Sequence, residues 1–99
     1  MKLRFTRRAR RHLDGISQYI NERNPDAARQ VGARIRETIE LLATFPNIGR
    51  EGTLAGTREL VVPGLPYIVV HRIETGDEDV ITILGVYHGA QIRPGQEMR

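Results

Sequence analysis

Residues able to work on a phosphodiester gather at the ends of the apolar runs in this 99-residue chain. Tyr87 and His88 stand side by side at the end of one run, with Gln91 and Arg93 close behind. Arg58 opens another run, RELVVPGLPYIVVHRI, which carries His71 and Arg72 near its end. An imidazole titrating near neutrality can take the proton of a ribose 2′-hydroxyl. Arginine can stabilise the charge that develops on the phosphoryl oxygens, and a second group can protonate the leaving oxygen. His88, Arg58 and Tyr87 are therefore the candidate catalytic set for RNA cleavage. Each also has a plainer reading, because such residues at strand ends often serve the fold alone. His71 follows an apolar run and reads as a core or groove-edge histidine, and His12 as a helix-surface residue. The three histidines are too scattered to suggest a metal site. The chain has no Gly-rich phosphate loop, no HExxH and no GxSxG, so neither metal nor cofactor is expected.

The elements that must position these residues follow from periodicity. Lys2-Leu3-Arg4-Phe5 alternates as a short first strand, and Thr6 is placed to cap a helix. Ala9, Leu13, Ile16 and Ile20 form one apolar stripe of a helix running from Arg7 to about Arg23. Asn24-Pro25 restarts the helix, with asparagine as cap and proline in the first turn. Ala28, Val31, Ile35, Ile39 and Leu42 mark the second stripe, which reaches Thr44 or Phe45. So short a join predicts an antiparallel helical hairpin. Residues 47–57 read as an exposed loop. Strands are expected over 59–62, 67–73 and 80–87, with Pro63-Gly64-Leu65-Pro66 as the first connector and residues 75–79 as a polar turn. Simple alternation along the last strand puts Ile81, Ile83, Gly85 and Tyr87 on one face and Val80, Thr82, Leu84 and Val86 on the other.

The result is a single α+β domain over residues 1–99. Its order is β-α-α-β-β-β, with a helical hairpin on one face of a small antiparallel sheet. Four strands about 4.8 Å apart span roughly 19 Å, which two helices about 10 Å wide cover once. Yet residues 67–73 and 80–87 are apolar on both faces. A partner segment is therefore expected on the second face, with Tyr67, Ile68, Val69, Val70, His71 and Ile83 as its contacts; the alternative is that loop 46–57 or the C-terminal tail folds over it.

Composition sets the limits. Hydrophobic residues make up 39% of the chain and charged residues 27%, which describes a folded domain and excludes a disordered one. No run is long enough for a membrane span, and no cysteine is present. A cytoplasmic protein without membrane contact is expected. The net charge is only +3, but residues 1–25 hold Lys2, Arg4, Arg7, Arg8, Arg10, Arg11 and Arg23 against Asp14 and Glu22. Such a patch suits an acidic partner or nucleic acid, or is simply a solvated helix face.

Four segments together resemble one family. They are NPDAA at the start of the second helix, LLATFPNIGREG at its end, RELVVPGLPYIVVHRI, and ITILGVYHGAQIRP. In this order they are similar to the RelE/ParE superfamily of toxins from bacterial type II toxin–antitoxin modules. The resemblance implies a small toxin neutralised by a cognate, ParD-like antitoxin, whose own N-terminal domain binds operator DNA. It also implies one of two activities. RelE-like members cleave mRNA on the ribosome, and ParE-like members poison DNA gyrase. The helix start, the PGLPY strand entry and the HGAQ ending look more like the ParE-type, plasmid-stabilisation branch. On that reading the protein is a non-enzymatic gyrase inhibitor, with Arg72, Gln91 and Arg93 contacting the target. The alternatives are a ribosome-dependent endoribonuclease and a degenerate, non-toxic member that only binds antitoxin and represses its operon.

Overall fold

A computed structural model describes residues 1–89. The elements are β1 (Lys2–Phe5), α1 (Arg7–Arg23), α2 (Pro25–Thr44), β2 (Arg50–Glu51), β3 (Arg58–Val61), β4 (Tyr67–Glu74) and β5 (Val80–His88). They build two helices packed against a five-stranded mixed sheet of order β1-β5-β4-β3-β2. The sequence order holds. Two features go beyond it: β1 runs parallel to β5, and the expected loop contains the two-residue strand β2, which pairs with β3.

Both helix starts follow the sequence signals. The Thr6 hydroxyl accepts from the Ala9 N–H at 3.0 Å, and the Asn24 side chain accepts from the Ala27 N–H at 3.1 Å. Each cap satisfies a backbone donor that has no partner inside the helix. Between β3 and β4, Gly64 has φ +75°, a conformation in which a side chain would be strained. The Arg34 guanidinium donates to the neighbouring Pro63 carbonyl at 3.1 Å and ties α2 to this turn.

The register of β4 against β5 contains one irregularity that reorganises the sheet. Val70 pairs with Gly85 and His71 with Ile83, so Leu84 is an extra residue bulged out of β5. A bulge shifts the alternation by one. Ile81, Ile83 and Val86 therefore share the helix-facing side, and all three lie in the core with Val69, Ile35, Ile39 and Leu42. Thr82, Gly85 and Tyr87 take the other side. This corrects the simple alternation read from the sequence, which separated Val86 from Ile83. The bulge is also where α1 attaches. The Thr6 N–H donates to the Ile83 carbonyl at 3.1 Å, and the Thr6 hydroxyl donates to the Leu84 carbonyl at 3.2 Å.

The face away from the helices is not the bare apolar surface expected. Ile68, Val70, Val80 and Thr82 are all buried, while Val61 at its outer part is half exposed. The register supplies a reason. Thr82 lies between its cross-strand partners Arg4 and Arg72, and Val80 between Lys2 and Glu74. Long charged side chains lay their methylene stems over small neighbours while their heads stay in water. The Arg4–Glu74 pair at 3.7 Å spans this face.

Candidate functional site

Three places hold the residues that could act on a partner. The first is the far end of β5. Beyond Phe5 no strand among the described residues pairs with the outer edge of β5, so its backbone donors need another acceptor. His12 of α1 supplies one: its Nδ1 accepts from the Val86 N–H at 3.1 Å. The same ring meets Tyr87 edge-on, with centroids 4.8 Å apart. Burial, then the positive charges of Arg8 and Arg11, lower the His12 pKa and keep the ring neutral, as an acceptor must be. Tyr87 lies back over Gly85, where a Cβ would stand 2.6 Å from the ring. His88, one residue on, belongs to the opposite side and meets Tyr67 edge-on at 5.8 Å. The Gly89 N–H, donating to the Pro66 carbonyl at 2.7 Å, ties this end to the β3–β4 connector.

The second place is the Arg58–His71 cross-strand pair. Arg58 donates to the carbonyls of Asn47 at 2.7 Å and Gly49 at 3.0 Å, fastening the loop that follows α2. His71 is wholly buried, and neither ring nitrogen has a hydrogen-bond partner. Burial first, and the Arg58 charge second, lower its pKa to about 4. It is a neutral core residue at ordinary pH.

The candidate catalytic set is thus not assembled. Four residue steps along β4 separate Tyr67, the partner of His88, from His71, the partner of Arg58. At about 3.3 Å per residue that is roughly 13 Å. Tyr87 sits on the other side of the sheet from His88. The expected antitoxin contacts are also placed differently. Val69, His71 and Ile83 face the chain's own helices, Ile68 and Val70 are buried on the far side, and Tyr67 is half-buried beside His88. Arg72 is half-buried on the far side. Gln91 and Arg93 lie outside the described residues.

The third place was not read from the sequence. A groove of about 520 Å³ opens between α1, α2 and β1, lined by Leu3, Phe5, Leu13, Ile16, Ile20 and Val31. Asp14, Ser17, Arg36 and Glu40 add polar groups to it. The half-buried state of Leu13, Ile16, Ile20 and Val31 shows that the helical stripes are only partly used by the fold. Their width was visible in the sequence, but their spare part was not. Among the described residues no group of histidine, cysteine and carboxylate side chains could hold a metal ion. No helix there is long and apolar enough to cross a membrane.

A helical hairpin on a mixed sheet of this order, with helix α1 sealing the edge of the last strand, is an architecture shared with solved toxin structures. The chain belongs to the ParE family, described as "ParE toxin of type II toxin-antitoxin system, parDE", whose profile matches residues 3–93. Among curated relatives, "Putative toxin Y4kP" of Sinorhizobium fredii is 43% identical over 83 residues, covering 84% of this chain and 85% of the relative. "Toxin RelE2" of Caulobacter vibrioides is 33% identical over 88 residues, covering 89% and 94%. A solved structure of the "Chromosomal ParDE TA system from P. aeruginosa" superposes with a TM-score of 0.77 at 25% identity, over 89% of this chain and 95% of that one. The "YoeB/ParE toxin from Agrobacterium tumefaciens" shares the fold, with a TM-score of 0.60 at 20% identity over 89% and 98%.

Proposed function

We propose that this toxin inhibits growth by poisoning DNA gyrase and is neutralised by a cognate antitoxin. The observation that supports a non-enzymatic mode is the dispersal of His88, Arg58 and Tyr87. A general base and the groups that stabilise the transition state must converge on one phosphodiester. Here they lie on two sides of a sheet, and one is fastened to loop carbonyls. Arg72, Gln91 and Arg93 are the proposed target contacts. The antitoxin's apolar segment is proposed to seat in the groove between α1, α2 and β1, whose lining is largely apolar, with Tyr67 at a separate, peripheral contact.

Expression of the chain alone should induce DNA damage and filamentation, and the purified chain should arrest gyrase supercoiling. His88→Ala should keep full toxicity. A rapid halt in translation that His88→Ala abolishes would instead identify a ribosome-dependent endoribonuclease. A chain that slows no growth would be left with antitoxin binding and repression of its operon. An Ile16→Glu substitution should prevent capture by the antitoxin while leaving gyrase inhibition in place.

A further inference from the structure

Among the described residues, unpaired positive charge is concentrated in one place. Arg7, Arg8, Arg10 and Arg11, in the first two turns of α1, are all exposed, and among the described residues their side chains take part in no ion pair or hydrogen bond. The other described arginines differ. Arg4, Arg23, Arg29 and Arg50 are paired with carboxylates, and Arg34 and Arg58 donate to carbonyls. Outside the cluster, only Arg36 and Arg72 among the described arginines lack a partner. The first turn of α1 contains no acidic residue. Arg7–Arg11, Arg7–Arg10 and Arg8–Arg11 are like-charge neighbours at helical spacing, set at the positive end of the helix dipole. Beyond the help that Arg8 and Arg11 give in keeping His12 neutral, the arrangement brings the fold only repulsion, which a polyanion would relieve.

We propose that these four arginines form a docking surface for the phosphate backbone of a nucleic-acid duplex. Helical geometry places Arg7 and Arg11 opposite the buried Ala9 side, about 6 Å apart along the axis, with Arg8 and Arg10 on either flank. About three of the four can reach one backbone at once. A duplex fits better than a single strand, because single-strand binding relies on aromatic platforms for the bases. Tyr87 is buried behind His12, Phe5 is half-buried in the groove under the helices, and the exposed Tyr19 lies three turns along α1 under Arg23. Overall charge does not explain such binding. Residues 1–25 carry an excess of five positive charges and the remaining residues a net of −2. The inference does not depend on gyrase, since the surface can be tested on naked DNA.

The test is fluorescence anisotropy of the full chain with a labelled 20-base-pair DNA duplex between 50 and 200 mM NaCl. Three phosphate contacts predict a log–log salt slope of about −3, a loss of roughly forty-fold across that range. An Arg7→Gln/Arg11→Gln double variant should weaken binding more than tenfold at 50 mM and bring the slope near −1. An Arg29→Gln/Arg36→Gln control on α2 should change neither. All four positions are exposed, and far-UV circular dichroism checks that the fold is kept. Absence of binding at 50 mM, or an unchanged slope in the first double variant, would overturn the proposal. So would tighter binding of a single strand of equal length. Competition by poly-glutamate as effective as the unlabelled duplex would also overturn it, by assigning the surface to an acidic polypeptide.

Discussion

Strand β5 and helix α1 lie against each other and are built on opposite terms. From Val80 to Tyr87 every residue of β5 except the bulged Leu84 is buried, whereas α1 fully buries Ala9 alone. The strand spends its side chains on the chain's own core. The helix holds the sheet edge through Thr6 and His12, and leaves a half-used apolar stripe on one flank and unpaired arginines on another. The difference teaches where each property resides. Stability is concentrated in the β4–β5 pair, and the helical layer carries the spare apolar stripe and the unpaired arginines.

The largest test of that division is to hollow the strand. Ile83→Ala should cost about 4 kcal/mol in urea unfolding, a large share of a small domain's stability. Ile16→Ala, in the half-buried stripe of α1, should cost far less. Comparable losses at the two sites would break the comparison.

Acid attacks the same region next. Unfolded, His71 titrates near 6.5, whereas in the fold its pKa is about 4. The unfolded chain therefore binds the proton first, and stability falls as pH drops from about 6.5 towards 4. The full loss is about 3 kcal/mol. The half-buried His12 shifts in the same direction and adds to it. A denaturation series from pH 7.5 to 4 should show the fall, and His71→Leu should make it markedly shallower.

A smaller effect is expected where strand and helix meet. Gly85→Ala places a methyl against the Tyr87 ring and should cost about 2 kcal/mol by forcing that ring from His12. The NMR resonances of the His12 ring report the displacement directly. The smallest effect has the opposite sign. Replacing Arg7 and Arg11 with glutamine removes like-charge repulsion from the positive helix end and should raise the thermal stability of the isolated chain, by about 0.5 kcal/mol. A loss of stability would show that the arginines serve the fold after all.

Much of the architecture was legible because local chemistry and global pattern agree. Thr6, Asn24 and Pro25 fix two helix starts, and the connectors around Gly64 and residues 75–79 bound the long strands. Strand β2 was not legible, since two residues, Arg50 and Glu51, carry no period. The parallel pairing of β1 with β5 is set by the path of the chain through the helical hairpin, which alternation does not encode. The candidate site was less legible still. Adjacent residues at a strand end look clustered on paper, but His88, Tyr87 and Arg58 separate once faces and register are known. The covering of Val80 and Thr82 by Lys2, Arg4, Arg72 and Glu74 depends on cross-strand neighbours that are distant in sequence.

The extra residue at Leu84 divides β5 into two stretches in antiphase. Upstream, odd-numbered positions build the interior; downstream, even-numbered ones do. Substitutions in the last few positions of the strand can therefore alter what the far end displays without disturbing Ile81 or Ile83. Deleting the single residue at 84 would do the reverse, turning the Tyr87 ring inward and Val86 outward in one step. The bulge thus makes the side to which every later residue of the strand is turned depend on the presence of this one.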